Sequence, residues 1–166
     1  MYRLIMAVAL LLALGGAWGQ SPPPNHQHPA SPPNLIDGAK HPELVSDAAA
    51  YRLYLITLSL PPNFNEQDRA AQQAHLSKID LAANDLQAMT TVLAEFRSQY
   101  DAWISRYNAA ATTQGNTFDP TPFLQQQEDI VQSTREMLKR TLSPKGMSKL
   151  HAHIQDEKKR MKVAGN

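Results

Sequence analysis

The side chains able to do chemistry are few and far apart. His26 and His28 stand as His-Gln-His in a proline-rich stretch. A flexible imidazole pair of this kind would hold Zn(II) or Cu(II) only weakly, for want of further ligands. His151 and His153 are two residues apart, so on a helix they diverge by about 160°. His75 has no acidic or histidine neighbour three or four residues away, the spacing that puts two ligands on one helical face. Asp80 with Asn84, and Asp101 with Ser105, have that spacing but too few ligands, and the adjacent Glu128 and Asp129 diverge. A resident metal is therefore not expected, and the weak candidates are His26 and His28.

Nucleophilic chemistry fares no better. The chain has no cysteine. Its serines fall at helix starts, in linkers or singly on helices, and none has the Gly-x-Ser-x-Gly setting that exposes a nucleophile on a tight turn. Beyond residue 19 only Gly38, Gly115, Gly146 and Gly165 remain, too scattered for a phosphate-cradling loop. No cofactor is expected, and the sequence reads as that of a non-enzymatic protein.

Compartment is more legible. Arg3 precedes an unbroken apolar run from Leu4 to Leu14, and Ala17-Trp18-Gly19 offers small residues where a signal peptidase looks for them. Residues 1–19 are read as a signal peptide, cut between Gly19 and Gln20. The run is short for a membrane span. With no cysteine after it, a lipid anchor is not expected, and the protein is read as exported to the periplasm or the exterior. Arg3 is the only charge lost with the leader, which leaves 15 basic against 15 acidic residues. Nucleic-acid binding, which calls for a basic excess, is not expected.

Residues 20–41 are read as a disordered Pro-rich linker. Six of the 12 prolines lie between Gln20 and Asn34, among Asn, Gln, His and Ser with almost nothing apolar to bury. Residues 42–163 then form one helical domain. The fold class is all-α: four to five antiparallel helices in a bundle around a long central helix, at about 43–60, 66–80, 83–111, 122–141 and 144–162. Pro42 opens the first helix, in which Leu44, Ala48, Tyr51, Leu55 and Leu58 recur at helical spacing. Val45, Leu53, Ile56 and Leu60 widen that stripe until the helix is apolar on most faces, the mark of a central position. A strand over Tyr51–Leu60 is the rival, but it has no second strand to pair with.

Pro61-Pro62 stops this helix and Asn65 caps the next. From Glu66 to Ala111 no proline or glycine intervenes. Ile79, Leu86, Leu93, Tyr100 and Tyr107 repeat in sevens, with Ala82, Met89, Phe96 and Trp103 three residues after. A break is expected near Asp80–Ala83. The aromatic residues from Phe96 to Tyr107 sit at core spacing and are assigned to the core rather than to a ligand-stacking site. Thr121-Pro122 and Ser143-Pro144 read as cap and first residue of two more helices. The first of these buries Leu124, Ile130, Val131, Thr134, Met137, Leu138 and Leu142. The second carries Met147, Leu150, Ile154 and Met161 on one stripe, with Lys158 on that stripe where the helix end overhangs the core. Val163 to Asn166 should fray.

Leu142-Ser143-Pro144-Lys145-Gly146, followed by Lys149-Leu150, resembles the Leu-Thr-x-x-Gln helix start of small periplasmic helical proteins of the stress-chaperone and metal-resistance type. Leu81-Ala82-Ala83-Asn84-Asp85 would be a second copy. Both lack the glutamine at the fifth position. The resemblance implies a protein that cradles unfolded clients or senses envelope stress.

The one surface feature pointing to a partner is the basic last helix. Lys149, Lys158, Lys159, Arg160 and Lys162 are the candidate contact residues, for an acidic protein partner or weakly for an anionic membrane surface. The expected role is that of a periplasmic interaction, scaffold or chaperone-like module for an unknown partner or unfolded client, with self-association possible along the long apolar seam. The alternative is a weak metal or small-ligand binder using His26, His28, His75, His151 or His153.

Overall fold

A computed structural model describes residues 35–164 of the chain. The leader, the His26–His28 pair and residues 20–34 of the linker lie outside the described residues. The described part is mostly helical, with five α-helices. In order these are α1 (Asp47–Leu58), α2 (Glu66–Ser77), α3 (Ala83–Gln114), α4 (Thr121–Thr141) and α5 (Pro144–Glu157). A two-stranded antiparallel ribbon pairs β1 (Leu35–Asp37) with β2 (Lys162–Ala164). No helix among the described residues is long and apolar enough to cross a membrane.

Four of the five helices begin where a nearby side chain satisfies free backbone N–H groups of the first turn; α3, preceded by Ala82, has no side-chain cap. The Ser46 hydroxyl accepts from the Ala49 N–H, so α1 starts there rather than at Pro42, which opens only a short 3₁₀ turn. Asn65 and Asp68 form a reciprocal capping box on α2. The Asp119 carboxylate accepts from the Thr121 N–H at 2.9 Å at the start of α4. The Ser143 hydroxyl accepts from the Gly146 N–H at 3.0 Å and starts α5. The expected break falls between α2 and α3: α2 ends at Ser77, and Asp80 takes a left-handed conformation with φ 56° before α3 begins. Aspartate tolerates that conformation better than most side chains do.

The centre of the fold differs from the expectation of a long central helix. The helix that touches all four others is the short α1, which buries Ala50, Tyr51, Tyr54, Leu55 and Leu58. The longest helix, α3, packs mainly along α4. The two run antiparallel: Trp103, Tyr100 and Asp85 on α3 bond in turn to Phe123, Gln127 and Ser143. Residues of α3 after Trp103 are never fully buried, so its last turns project beyond the core. There Tyr107, Phe118 and Phe123 close an edge-to-face aromatic cluster.

Several expected core positions face solvent. Leu86, a seam residue, is exposed, and the buried residue of that turn is Asp85. Leu124 of α4 is exposed and Gln127 is buried in its place; Leu44, expected in the first stripe, is exposed as well. At the first two positions a polar side chain, Asp85 or Gln127, finds specific bonds inside, so the apolar period shifts. Gln127 accepts from Arg52 at 2.9 Å and donates to the Tyr100 hydroxyl at 2.8 Å.

The ends of the described chain also differ from expectation. Leu35–Asp37, placed in the linker by composition, pairs with Lys162–Ala164, where the sequence leads one to expect the last helix to end at Lys162 and the chain to fray from Val163. Val163 is buried there. The ribbon needs Gly38: its N–H donates to the Met161 carbonyl at 2.8 Å, and any Cβ at this position would collide with the Lys158 carbonyl oxygen. Lys158 does not overhang. It is buried, and its ammonium meets Asp47 Oδ1 at 2.6 Å.

Candidate binding cavity

The basic residues of the last helix largely have partners. Lys149 bonds the Asp80 side chain and carbonyl, Lys158 bonds Asp47, Lys159 bonds Asp156 at 2.8 Å and Arg160 bonds Glu157 at 2.6 Å. Of the five candidates, Lys162 alone has no carboxylate partner among the described residues, and it lies on β2. The cationic face suggested by counting lysines is mostly compensated charge.

The histidines divide similarly. His151 and His153 pack against Tyr51 and Tyr54, three residues apart on α1, so both have a packing role. The His151 ring stacks near Tyr51, with Nδ1 3.3 Å from the phenol oxygen. His153 meets Tyr54 edge-on with ring centroids 5.5 Å apart, and its Nε2 lies 3.9 Å from Glu157. His75 on α2 is half-buried; burial, aided by the Lys78 charge, lowers its pKa below 6.5. Among the described residues no three histidine, aspartate or glutamate side chains converge as metal ligands.

A cation without a carboxylate partner among the described residues, Arg135, lies where α1, α4 and α5 meet. A cavity of about 610 Å³ there is lined by Tyr51, Arg135, Lys139, Leu142, Pro144, Met147, Ser148 and His151. The tight turn between α4 and α5 shapes one side of it, because Leu142 is extended and Pro144 immediately starts the next helix. Tyr51 comes from the central helix. Its ring carries the Arg135 guanidinium, with Cζ 4.5 Å from the ring centroid, a cation–π contact that holds the arginine in place. Burial pushes the Tyr51 phenol above its ordinary range, with Arg135 opposing, so it remains a neutral hydroxyl at physiological pH.

Arg135 has no carboxylate partner among the described residues. Its Nη1 donates to Gln132 Oε1 at a long 3.4 Å, and its Nε is covered without an acceptor. Lys139 on the rim is held by Glu136 at 2.7 Å. The cavity thus offers one free, ring-stacked guanidinium beside an apolar wall of Leu142, Pro144 and Met147. An arginine so placed suits a planar anion, which it can bind through two parallel N–H donors.

The sequence did not single out Arg135 or Tyr51 for binding. Tyr51 was assigned to the core stripe, and Arg135 sits next to Thr134 on α4, at the edge of a buried face. The available signal was an arginine bordering an apolar stripe with no acid at helical spacing. The two segments that resemble the helix-start motif do meet: Asp85 accepts from the Ser143 N–H and hydroxyl, each at 2.7 Å. No family model, curated protein or solved structure matches the chain.

Proposed function

We propose that the protein is an exported, non-enzymatic interaction module of scaffold or chaperone-like character, acting in the periplasm or outside the cell on a protein partner or unfolded client. The observation that carries the reading is the cavity between α1, α4 and α5. It joins an arginine that has no carboxylate partner among the described residues to an apolar wall. Such a surface suits recognition of a group that carries both negative charge and apolar bulk. Export rests on the leader pattern in residues 1–19. Self-association through exposed apolar residues such as Leu86 and Leu124 belongs to the same reading. Nucleic acid is not a fitting partner for a chain that is electrically balanced after residue 19.

The reading through the basic last helix as a membrane-surface contact has less support, since four of its five candidate cations hold carboxylates. The reading as a metal binder has less support, because His151 and His153 pack against Tyr51 and Tyr54 of α1 and no three ligands converge among the described residues. The experiment is a client assay. Purified protein in stoichiometric excess should delay the aggregation of a chemically unfolded client, and cross-linking in envelope extracts should recover a partner. Normal aggregation kinetics together with an empty cross-linking lane would refute the module reading.

A further inference from the structure

We propose that the cavity formed by Tyr51, Arg135, Met147 and His151 receives the C-terminal carboxylate of an extended peptide whose last residue is apolar. The proposal rests on the interaction reading above and gives it a ligand.

Charge comes first. Among the described residues no acid lines the cavity, and Arg135 is its one cation without a carboxylate. Four of the five N–H donors of the guanidinium have no protein acceptor, while stacking on Tyr51 restrains its plane. A restrained guanidinium loses less entropy when a carboxylate docks on it. His151 and Ser148 add polar groups to the lining, and the His151 ring is steadied by Tyr51.

Shape and polarity narrow the ligand. Leu142, Pro144 and Met147 form an apolar wall within the same cavity, and methionine adapts to varied side chains. The space of about 610 Å³ falls within the usual range for small-ligand sites. A chain end with an apolar last residue carries a carboxylate and an apolar group on one α-carbon, which matches both walls with a single residue. An internal aspartate or glutamate spreads the two requirements over neighbouring residues that point to different sides. A phosphate group carries more charge than one free arginine balances.

The test uses a fluorescent tetrapeptide ending in leucine with a free carboxylate, titrated into the purified protein and followed by anisotropy. Saturable binding is expected, weakened by about tenfold or more when the same peptide is amidated. Arg135→Gln should reproduce that loss, whereas Lys162→Gln should leave affinity unchanged. Met147→Glu, which places a negative charge on the apolar wall without touching the Tyr51–Arg135 stack, should also abolish binding and serves if Arg135→Gln misfolds by circular dichroism. Equal affinity for the amidated peptide, or for an amidated peptide with internal aspartate, overturns the proposal, as does absence of saturable binding. If the leucine-ended peptide does not bind while the unaltered protein still delays aggregation of an unfolded client, the cavity proposal fails and the interaction module stands.

Discussion

Asp85 and Ser143 make the bond that ties the starts of two helices together. Asp85 lies in the first turn of α3, where the helix dipole favours a carboxylate, and it receives both the N–H and the hydroxyl of Ser143. Ser143 in turn caps α5. Those hydrogen bonds hold the Asp85 carboxyl below the ordinary 3.8, backbone N–H first. A depressed carboxylate contributes stability that is whole above the unfolded value and is lost as pH falls through the folded one. Amide exchange at Ser143 and Gly146 should therefore accelerate only below about pH 4, with neighbouring α4 amides unaffected, as read by exchange NMR. Gly146 is glycine because Asp85 occupies the place of its side chain: an added Cβ would overlap Asp85 Oδ2. Removing the cap with Ser143→Ala should cost about 1 kcal/mol in chemical denaturation, and Gly146→Ala should cost at least as much. The sequence showed Ser143-Pro144 as a helix start but gave no hint of Asp85, since a residue 58 positions away leaves no periodic trace.

At the scale of elements, α2 is the loosest helix. Leu76 is its one buried residue, with Ile79 following in the turn, and Gln72 donates to the Leu58 carbonyl at 2.8 Å. His75 on this helix is disfavoured as a cation by burial and by Lys78, with His153 adding repulsion and Glu157 a partial offset. Below 6.5 the unfolded histidine takes up a proton that the folded one resists, so the attachment of α2 weakens as pH falls. Limited proteolysis in the 61–82 segment should be faster at pH 5.5 than at pH 7.5 by a few-fold, and His75→Gln should remove most of that difference. Equal cleavage of both proteins at both pH values would refute this account of α2. The caps and the break near Asp80 were legible, because they are local chemistry: Asn65 with Asp68, Ser143 with Pro144, and the loss of regular spacing after Ile79. Helix ends were less so. The apolar stripe running to residue 60 and the basic stretch running to residue 162 concealed an α1 that stops at Leu58 and an α5 that stops at Glu157.

For the whole molecule, the short α1 organises the packing and the longest helix does not. Leu55 of α1 is completely buried, while Leu86 on the heptad seam is exposed. Leu55→Ala should lower the unfolding free energy by about 2–5 kcal/mol, and Leu86→Ala should change it by less than about 0.5 kcal/mol. Urea denaturation of the two variants distinguishes this arrangement from one built around α3, for which Leu86 would be the costlier loss. The same assembly neutralises the basic end: Asp47 at the start of α1 accepts from Lys158 and Gln155, which draw its carboxyl below the usual range. Charge that looked available along one helix is used in joining it to another.

Taken alone, the sequence determined helix type, most capping residues, the break between α2 and α3, and the assignment of Phe96, Tyr100 and Trp103 to the interior. All of these follow from spacing along one helix or from a few neighbouring residues. Tertiary structure alone decided which helix is central, that residues 35–37 and 162–164 pair, that Lys158 is buried against Asp47, and that Arg135 is left free over Tyr51. Each of these depends on groups far apart in the chain meeting in space, and an ion pair or stacked ring at that separation has no periodicity to betray it.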